Sequence, residues 1–465
     1  MLHRLHGNRR VNVYLSVCSL LIFFLATDLA VAGQSRLLVF LEVPGSAFPS
    51  ELALEGLELR HPDHSVPLSL ETGDLVAENL AGTQILLSNT QVPSGFYSSF
   101  HFAISKITSR VGVAEVEPVS PPDGLTLPLN LELTAGQTAT IFLQWRPAAV
   151  DPEAEFHSPD FGILMPVVPP LGSLAFVSSA GTGSVVIINR VTSRVVGALG
   201  VGEDPRGLAY SRNNQTLYVA LAGQDAIAVV DAISLRVNNV VPLRFGDDPT
   251  RLLLSRDEST LYVLAPGSRT LVSLSAWSMQ EKFRVAVGEG PRSIAQDPHS
   301  GTLYVACEDE GRVQIVDPGS GAITSSLTLL PAPVEVVIDE SSRLLFLGGS
   351  VQRLIRSFDL DSDESGGDQN ICGPVAGLAV NTRTRRLYAS VPSCRNLAVI
   401  RPDVGIEFGS INLPGHPGLM AFDQAFRQLW VVMPDQGALA VCNPNRGELE
   451  SVVQVGPDPY QVILP

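Results

Sequence analysis

Leu174-Ala-Phe-Val, Leu217-Tyr-Val-Ala, Leu261-Tyr-Val-Leu, Leu303-Tyr-Val-Ala, Leu344-Leu-Phe-Leu, Leu387-Tyr-Ala-Ser and Leu429-Trp-Val-Val are seven versions of one short segment. Successive copies lie 43, 44, 42, 41, 43 and 42 residues apart, so a unit of nearly constant length is repeated. The copies are rich in β-branched and aromatic side chains, which suit a pleated, buried strand. Tyr218, Tyr262, Tyr304 and Tyr388 occupy one slot of the unit. A second strand follows in register every time: VVIINR from Val185, IAVVDA from Ile227, LVSLSA from Leu271, VQIVDP from Val313, IRSFDL from Ile355, LAVIRP from Leu397 and LAVCNP from Leu439. Asp231, Asp317 and Asp359 share its fifth position. A third, less regular strand comes next, such as Arg194 to Leu199 or Val452 to Val455. A turn then carries a proline into a fourth strand, at Pro205, Pro249, Pro291, Pro333, Pro374, Pro417 and Pro459.

Four strands in a period of about 40–45 residues is the pattern of a β-propeller blade. The first repeat lacks a proline-led strand, and the last stops just after one, Tyr460-Gln-Val-Ile-Leu464. The C-terminal strand is therefore expected to complete the first blade, leaving no open edge. These motifs resemble the YVTN family of β-propellers, whose pattern is a proline-led inner strand, then Leu-Tyr-Val-(Thr/Ala)-Asn, then Val-Ile-Asp-(Thr/Ala). The match spans residues 172–465 and departs where that family's Asn should follow Leu-Tyr-Val. It implies a seven-bladed propeller and an exported protein; it leaves function open, since such propellers serve as binding scaffolds, surface modules and occasional enzymes.

The chain has 465 residues, 45% of them hydrophobic and 17% charged, enough to bury sizeable cores. With 31 Lys+Arg against 47 Asp+Glu the net charge is −16, which argues against nucleic acid as a partner. His3, Arg4, Arg9 and Arg10 precede an apolar run from Val11 to Ala32 that ends in Ala30-Val31-Ala32. Basic start, short apolar centre and A-x-A end predict a secretory signal peptide over 1–32, with an uncleaved anchor as the rival. Removing Arg4, Arg9, Arg10 and Asp28 takes the net charge to −18. No later segment is apolar enough to span a membrane, so a periplasmic or extracellular protein without a membrane span is expected.

Residues 33–147 lack the repeat. Alternating segments at Leu37 to Val43, Leu52 to Leu59, Phe96 to Ile107, Leu125 to Leu133 and Thr138 to Trp145 predict a β-sandwich. In the third segment Phe96, Phe100, Phe102 and Ile104 are expected on one face. Val92-Pro-Ser-Gly95-Phe-Tyr97 resembles a transthyretin-like sandwich domain of unknown function from exported bacterial proteins. Six prolines between Arg146 and Gly172 predict a semi-rigid spacer, placed at 148–171.

Enzyme motifs are missing: no haem attachment, zinc helix, nucleophile elbow or phosphate loop is present, and no cofactor is implied. His61-Pro-Asp-His64 could set two imidazoles near a metal, though a polar turn explains it better. Cys372 lies just before an inner strand and Cys394 just after its neighbour, which predicts a Cys372–Cys394 disulfide in an oxidising compartment. Cys307 and Cys442 are expected as buried apolar side chains. Asp359, Asp361 and Asp363 alternate as in a calcium loop, but Glu364 and Asn370 stand where Gly and a bidentate Glu belong.

In a propeller, the turns entering the inner strands rim one face of the central channel. Those turns carry Glu203, Asp204, Asp247, Asp248, Glu289 and Asp458, with Arg206, Arg251 and Arg292 at the strand starts. Loops on the same rim add Asp225, Glu308, Asp309, Glu310, Arg395 and Asp435. Arg206, Arg251, Arg292, Asp204, Asp248, Glu289 and Asp458 form the candidate ligand site. The expected work is non-catalytic binding of a protein, glycan or small ligand. The alternatives are a propeller hydrolase or lyase, akin to lactonases or streptogramin lyases, and a structural envelope module.

Overall fold

The structure is a computed structural model and describes residues 33–45, 50–111, 114–116, 124–147, 160–164, 171–328, 332–403 and 405–465. The leader read at 1–32 and most of the spacer lie outside them. Among the described residues no helix is long and apolar enough to cross a membrane.

The repeated segments fold as expected for strands covered on both faces. Thr216–Leu221, which contains Leu217-Tyr-Val-Ala, is buried at every position but the first. A strand with no solvent face needs no polar alternation, which is why these segments read as continuous apolar runs. Thr216–Leu221 pairs antiparallel with Ala226–Asp231, which pairs with Arg236–Pro242, and Pro205–Ser211 flanks the other side. The outermost strand is the polar one, with most of Arg236–Pro242 exposed. Among the described residues, seven sheets of this four-stranded order follow one another from Leu174 onward.

The shared Asp or Asn at the end of Ala226–Asp231 and its counterparts has a structural task. Asp231 Oδ1 accepts from the Ile233 and Ser234 amides at 2.9 and 2.8 Å. Asn189, Asp359 and Asn443 close the matching turns in the same way. Asp359 is thereby used as a turn cap, and Asp361 Oδ1 lies 3.0 Å from Arg343 Nε. Asp359 and Asp361 thus serve a turn and an ion pair, Asp363 takes the left-handed place in that turn with its amide donating to Asp359 O at 3.0 Å, and no metal-binding group of acids is found among the described residues.

Pro205, Pro291, Pro333 and Pro459 are the first residues of their strands, where the missing N–H costs no ladder bond. These first strands are neighbours in a ring. Pro205–Ser211 lies beside Arg251–Leu254, and the ring continues through Pro291–Gln296, Pro333–Asp339, Gly377–Asn381 and Met420–Asp423. Pro459–Ile463 stands next, beside Met420–Asp423 on one side and Pro205–Ser211 on the other. It also pairs antiparallel with Leu174–Ser179, with Phe176 opposite Ile463. The last described strand therefore supplies the first sheet. Ring strands approach closely: a Cβ on Gly207 would sit 2.8 Å from Thr250 O and 2.9 Å from Arg251 Cα.

The N-terminal part has two sheets. Gln34–Glu42 pairs antiparallel with Gln84–Pro93 and parallel with Thr138–Trp145. The other sheet is built on Ser50–Arg60 and the long strand Gly95–Val111. Leu37, Val39 and Leu41 from one sheet share an apolar cluster with Leu57, Phe100 and Phe102 from the other. Two expectations change here. Phe96 is 45% exposed and Tyr97 takes its inward place, donating from its hydroxyl to Pro93 O at 2.7 Å. The register slips between Tyr97 and Ser99, and an odd slip moves the preceding side chains to the opposite face. In the spacer, Phe161–Leu164 is a strand paired with Thr138–Trp145, because Phe161 stacks on Phe102 at 4.8 Å within that core.

Gln34–Glu42 has no solvent face either. Leu38 and Phe40, with Phe142, point away from their own core into a cluster with Ala175, Val186, Trp430 and Val441. Those partners belong to the first and seventh repeat sheets, so the N-terminal part wedges into the seam between them. Burying three such side chains contributes on the order of 5–8 kcal/mol, comparable to the net stability of a small domain.

Candidate functional site

The starts of the ring strands surround a cavity of about 370 Å³. Its lining includes Arg206, Arg251, Arg292, Val334, Val375, Leu419, Asp458 and Tyr460, so all seven repeats contribute a strand residue or the turn entering one. Six of the seven repeat prolines are followed at once by a lining residue. The ladder is irregular at that point: register shifts fall between Pro205 and Leu208, Pro291 and Ser293, and Pro333 and Glu335. Breaking the ladder there re-aims Arg206, Arg292 and Val334 toward the cavity.

Arg251 is the most enclosed of the arginines, its side chain 12% exposed. It forms an ion pair with buried Glu335 and donates from Nε to Arg292 O at 3.1 Å. The Ser293 hydroxyl donates to the other Glu335 oxygen at 3.1 Å. Burial pushes the Glu335 carboxyl above its usual value, while Arg251 and Ser293 pull against it. Burial alone would lower the Arg251 guanidinium; the charges of Glu335 and Tyr460 and the hydrogen bond to Glu335 together more than offset it. The ion pair and the flanking hydrogen bonds fix the Arg251 fork.

Arg206 Nε lies 2.7 Å from Asp204 Oδ1, and its Nη1 lies 3.4 Å from Asp458 Oδ2. Its guanidinium stands over the Tyr460 ring at 5.2 Å, with Arg251 over the same ring at 5.9 Å. Arg292 is the least committed, 59% exposed with Glu308 Oε2 3.0 Å from its Nε. Exposed pairs of that kind are weak, on the order of 0–1 kcal/mol, so Arg292 is free to exchange its partner.

The structure thus brings Arg206, Arg251, Arg292 and Asp458 to one cavity. Asp204 touches the group from behind: it holds Arg206 but lines a separate cleft of about 660 Å³ against the N-terminal part. Asp248 lies outside the lining, its amide donating to Asp225 Oδ1 at 2.7 Å. Burial and the charges of Asp204 and Asp225 raise its carboxyl, with Arg206 opposing. Glu289 pairs with Arg269 at 2.5 Å, both well exposed and outside the lining. Asp247 is buried, gripped by Arg284 and Ser268 as an internal brace. Asp435 receives the His416 amide at 2.8 Å and joins neighbouring turns.

Glu335, Tyr460 and the aliphatic half of the cavity escaped the sequence reading. The signal was there in Pro333-Val-Glu335, Pro374-Val375 and Pro459-Tyr460, which hold the positions that Arg206 and Arg292 hold in their repeats. Elsewhere, His61 and His64 stack at 4.5 Å in a turn closed by the Asp63 amide donating to His61 Nδ1. Cys372 and Cys394 form a disulfide, and Cys307 and Cys442 are buried free thiols pushed up by burial to about 11 and about 12.

Comparison with protein-family models finds no match, and none of the curated proteins matches. Among solved structures, a chain of hydrazine synthase from Kuenenia stuttgartiensis superposes with a TM-score of 0.53 at 17% identity, over 59% of this chain and 93% of that one. That chain is a β-propeller. The fold of the repeat region is a β-propeller. Virginiamycin B lyase from Staphylococcus aureus also matches, with a TM-score of 0.45 at 14% identity, over 51% of this chain and 80% of that one. At 17% identity the likeness to the hydrazine synthase chain describes the fold alone.

Proposed function

We propose that this chain is an exported, non-catalytic binding protein whose propeller takes a small ligand at the mouth of its central channel. The observation that carries the reading is the cavity at the ring-strand starts, where Arg206 and Arg251 are held in place by carboxylates behind and beside them and the more exposed Arg292 completes the group. Fixed donors in a concave pocket of this size suit a small molecule better than the flat face of a protein partner. The groups of the lining able to move a proton or attack are Asp458, Tyr460 and Ser350, and Asp458 is paired with Arg206 while Tyr460 lies under the Arg206 guanidinium, an arrangement that suits holding a ligand.

In this reading the seven four-stranded sheets are seven blades of a YVTN-type propeller, and the two N-terminal sheets are a transthyretin-like sandwich sharing one core. Residues 1–32 are the signal peptide, residues 33–147 and 172–465 the two folded units. The Cys372–Cys394 disulfide supports export, since such bonds persist in oxidising compartments. N-terminal sequencing of the protein from a periplasmic or culture fraction should begin at Gly33; recovery of full-length chain from the cytoplasm would refute export.

The site itself is tested with a thermal-shift screen of small metabolites against the mature chain and an Arg206→Met/Arg292→Met variant. Stabilising compounds should lose their effect in the variant. A screen in which hits stabilise both proteins equally would remove the channel mouth from consideration, and turnover of any hit would overturn the non-catalytic reading.

A further inference from the structure

The cavity lining is divided. Arg206, Arg251 and Arg292 come from three consecutive sheets and form a cationic arc. Val334 in the next sheet, and Val375 and Leu419 in the turns just before Gly377–Asn381 and Met420–Asp423, form an aliphatic arc facing it. Of the acids near the arginines, Glu335 is buried behind Arg251, Glu308 lies outside the lining, and Asp204 lines the other cleft. The lining itself therefore carries three arginines against the single carboxylate of Asp458.

Resting on the channel-mouth reading above, we propose that the ligand is a small amphiphilic carboxylate, with its head on the arginine arc and an aliphatic body against the valines and leucine. A guanidinium fork matches a carboxylate in plane and in charge, and Arg292, with one exposed partner, is the fork most easily turned to it. A neutral sugar would leave the aliphatic arc without an apolar partner, and a cation would meet the arginines. The cavity of about 370 Å³ has room for a small acid with a chain of several carbons, and octanoate is a suitable probe.

Isothermal titration of the mature chain with octanoate, octylammonium, 1-octanol and acetate tests this. Octanoate should bind at least tenfold tighter than each of the others. Arg292→Met, an exposed position, should weaken octanoate at least tenfold while leaving octanol unchanged. Leu419→Ser should weaken octanoate and leave acetate unchanged. Binding of octylammonium or octanol as tight as octanoate would overturn the carboxylate assignment while leaving the cavity a binding site. No measurable binding of octanoate would overturn the assignment outright; the metabolite screen then decides separately whether the channel mouth is a site.

Discussion

Asp204, Asp248 and Asp458 stand in left-handed backbone with φ of 49, 49 and 52°, each directly before a repeat proline. Asp tolerates that region better than most side chains, and Gly290 and Ala332 occupy the same place in other repeats. The acidity of the rim is thus partly a demand of the turn, which is why so many rim carboxylates look like ligands in the sequence and only Asp458 lines the cavity. The arginines are a different matter, because nothing in the backbone requires them. Arg251→Met would leave Glu335 buried without its partner, and removing one member of a buried pair costs about 3–5 kcal/mol. The double variant Arg251→Met/Glu335→Gln should recover most of that loss in urea unfolding; losses that simply add would mean the pair is not coupled. Asp297 offers a pH test. Burial alone would raise its carboxyl, but the paired Arg343 with Ser300 and the His299 amide holds it well below the carboxylate range. A depressed folded value stabilises fully above the unfolded value of about 4 and is lost as pH falls below it. Asp297→Asn should therefore flatten the fall of Tm below about pH 4, and an unchanged acid limb would contradict the pairing.

At the level of strands, periodicity carried nearly everything the sequence could reveal. Leu217-Tyr-Val and its six counterparts were readable because both faces of each are buried, giving apolar runs at constant spacing. Phe96 was misplaced because a one-residue slip leaves no mark on composition. Phe161–Leu164 was hidden among prolines, since four residues are too few to show a period. The aliphatic arc was invisible for another reason: Val334 and Val375 look like ordinary strand residues until the ring turns them toward a common centre. The strand with the largest predicted consequence is Pro459–Ile463. Its removal would expose the backbone edge of Leu174–Ser179 and break the ring at one point. A chain ending at Gly456 should lose its cooperative thermal transition and aggregate; a truncated chain with an unchanged Tm would show that the ring does not depend on this strand.

For the whole molecule, the seam between the first and seventh repeat sheets gathers three separate fastenings. Pro459–Ile463 crosses it, Arg190 pairs with Asp423 across it with both side chains buried, and Leu38, Phe40 and Phe142 fill it from the N-terminal part. Phe40→Ala should cost about 3–5 kcal/mol. Because Phe40 faces the seam, limited proteolysis should then release the N-terminal part from the propeller, and a variant as resistant as the parent would refute the wedge. The seam also sets a schedule. Leu38 and Phe40 are made early, yet strand 459–463, which completes the surface they cover, is made about 420 residues later. At about 5–20 residues per second, a ribosome needs roughly 20 to 85 s to connect those two events. For that interval the nascent chain carries an apolar face with nothing to cover it, so its yield should depend on a holding chaperone more than its final stability suggests.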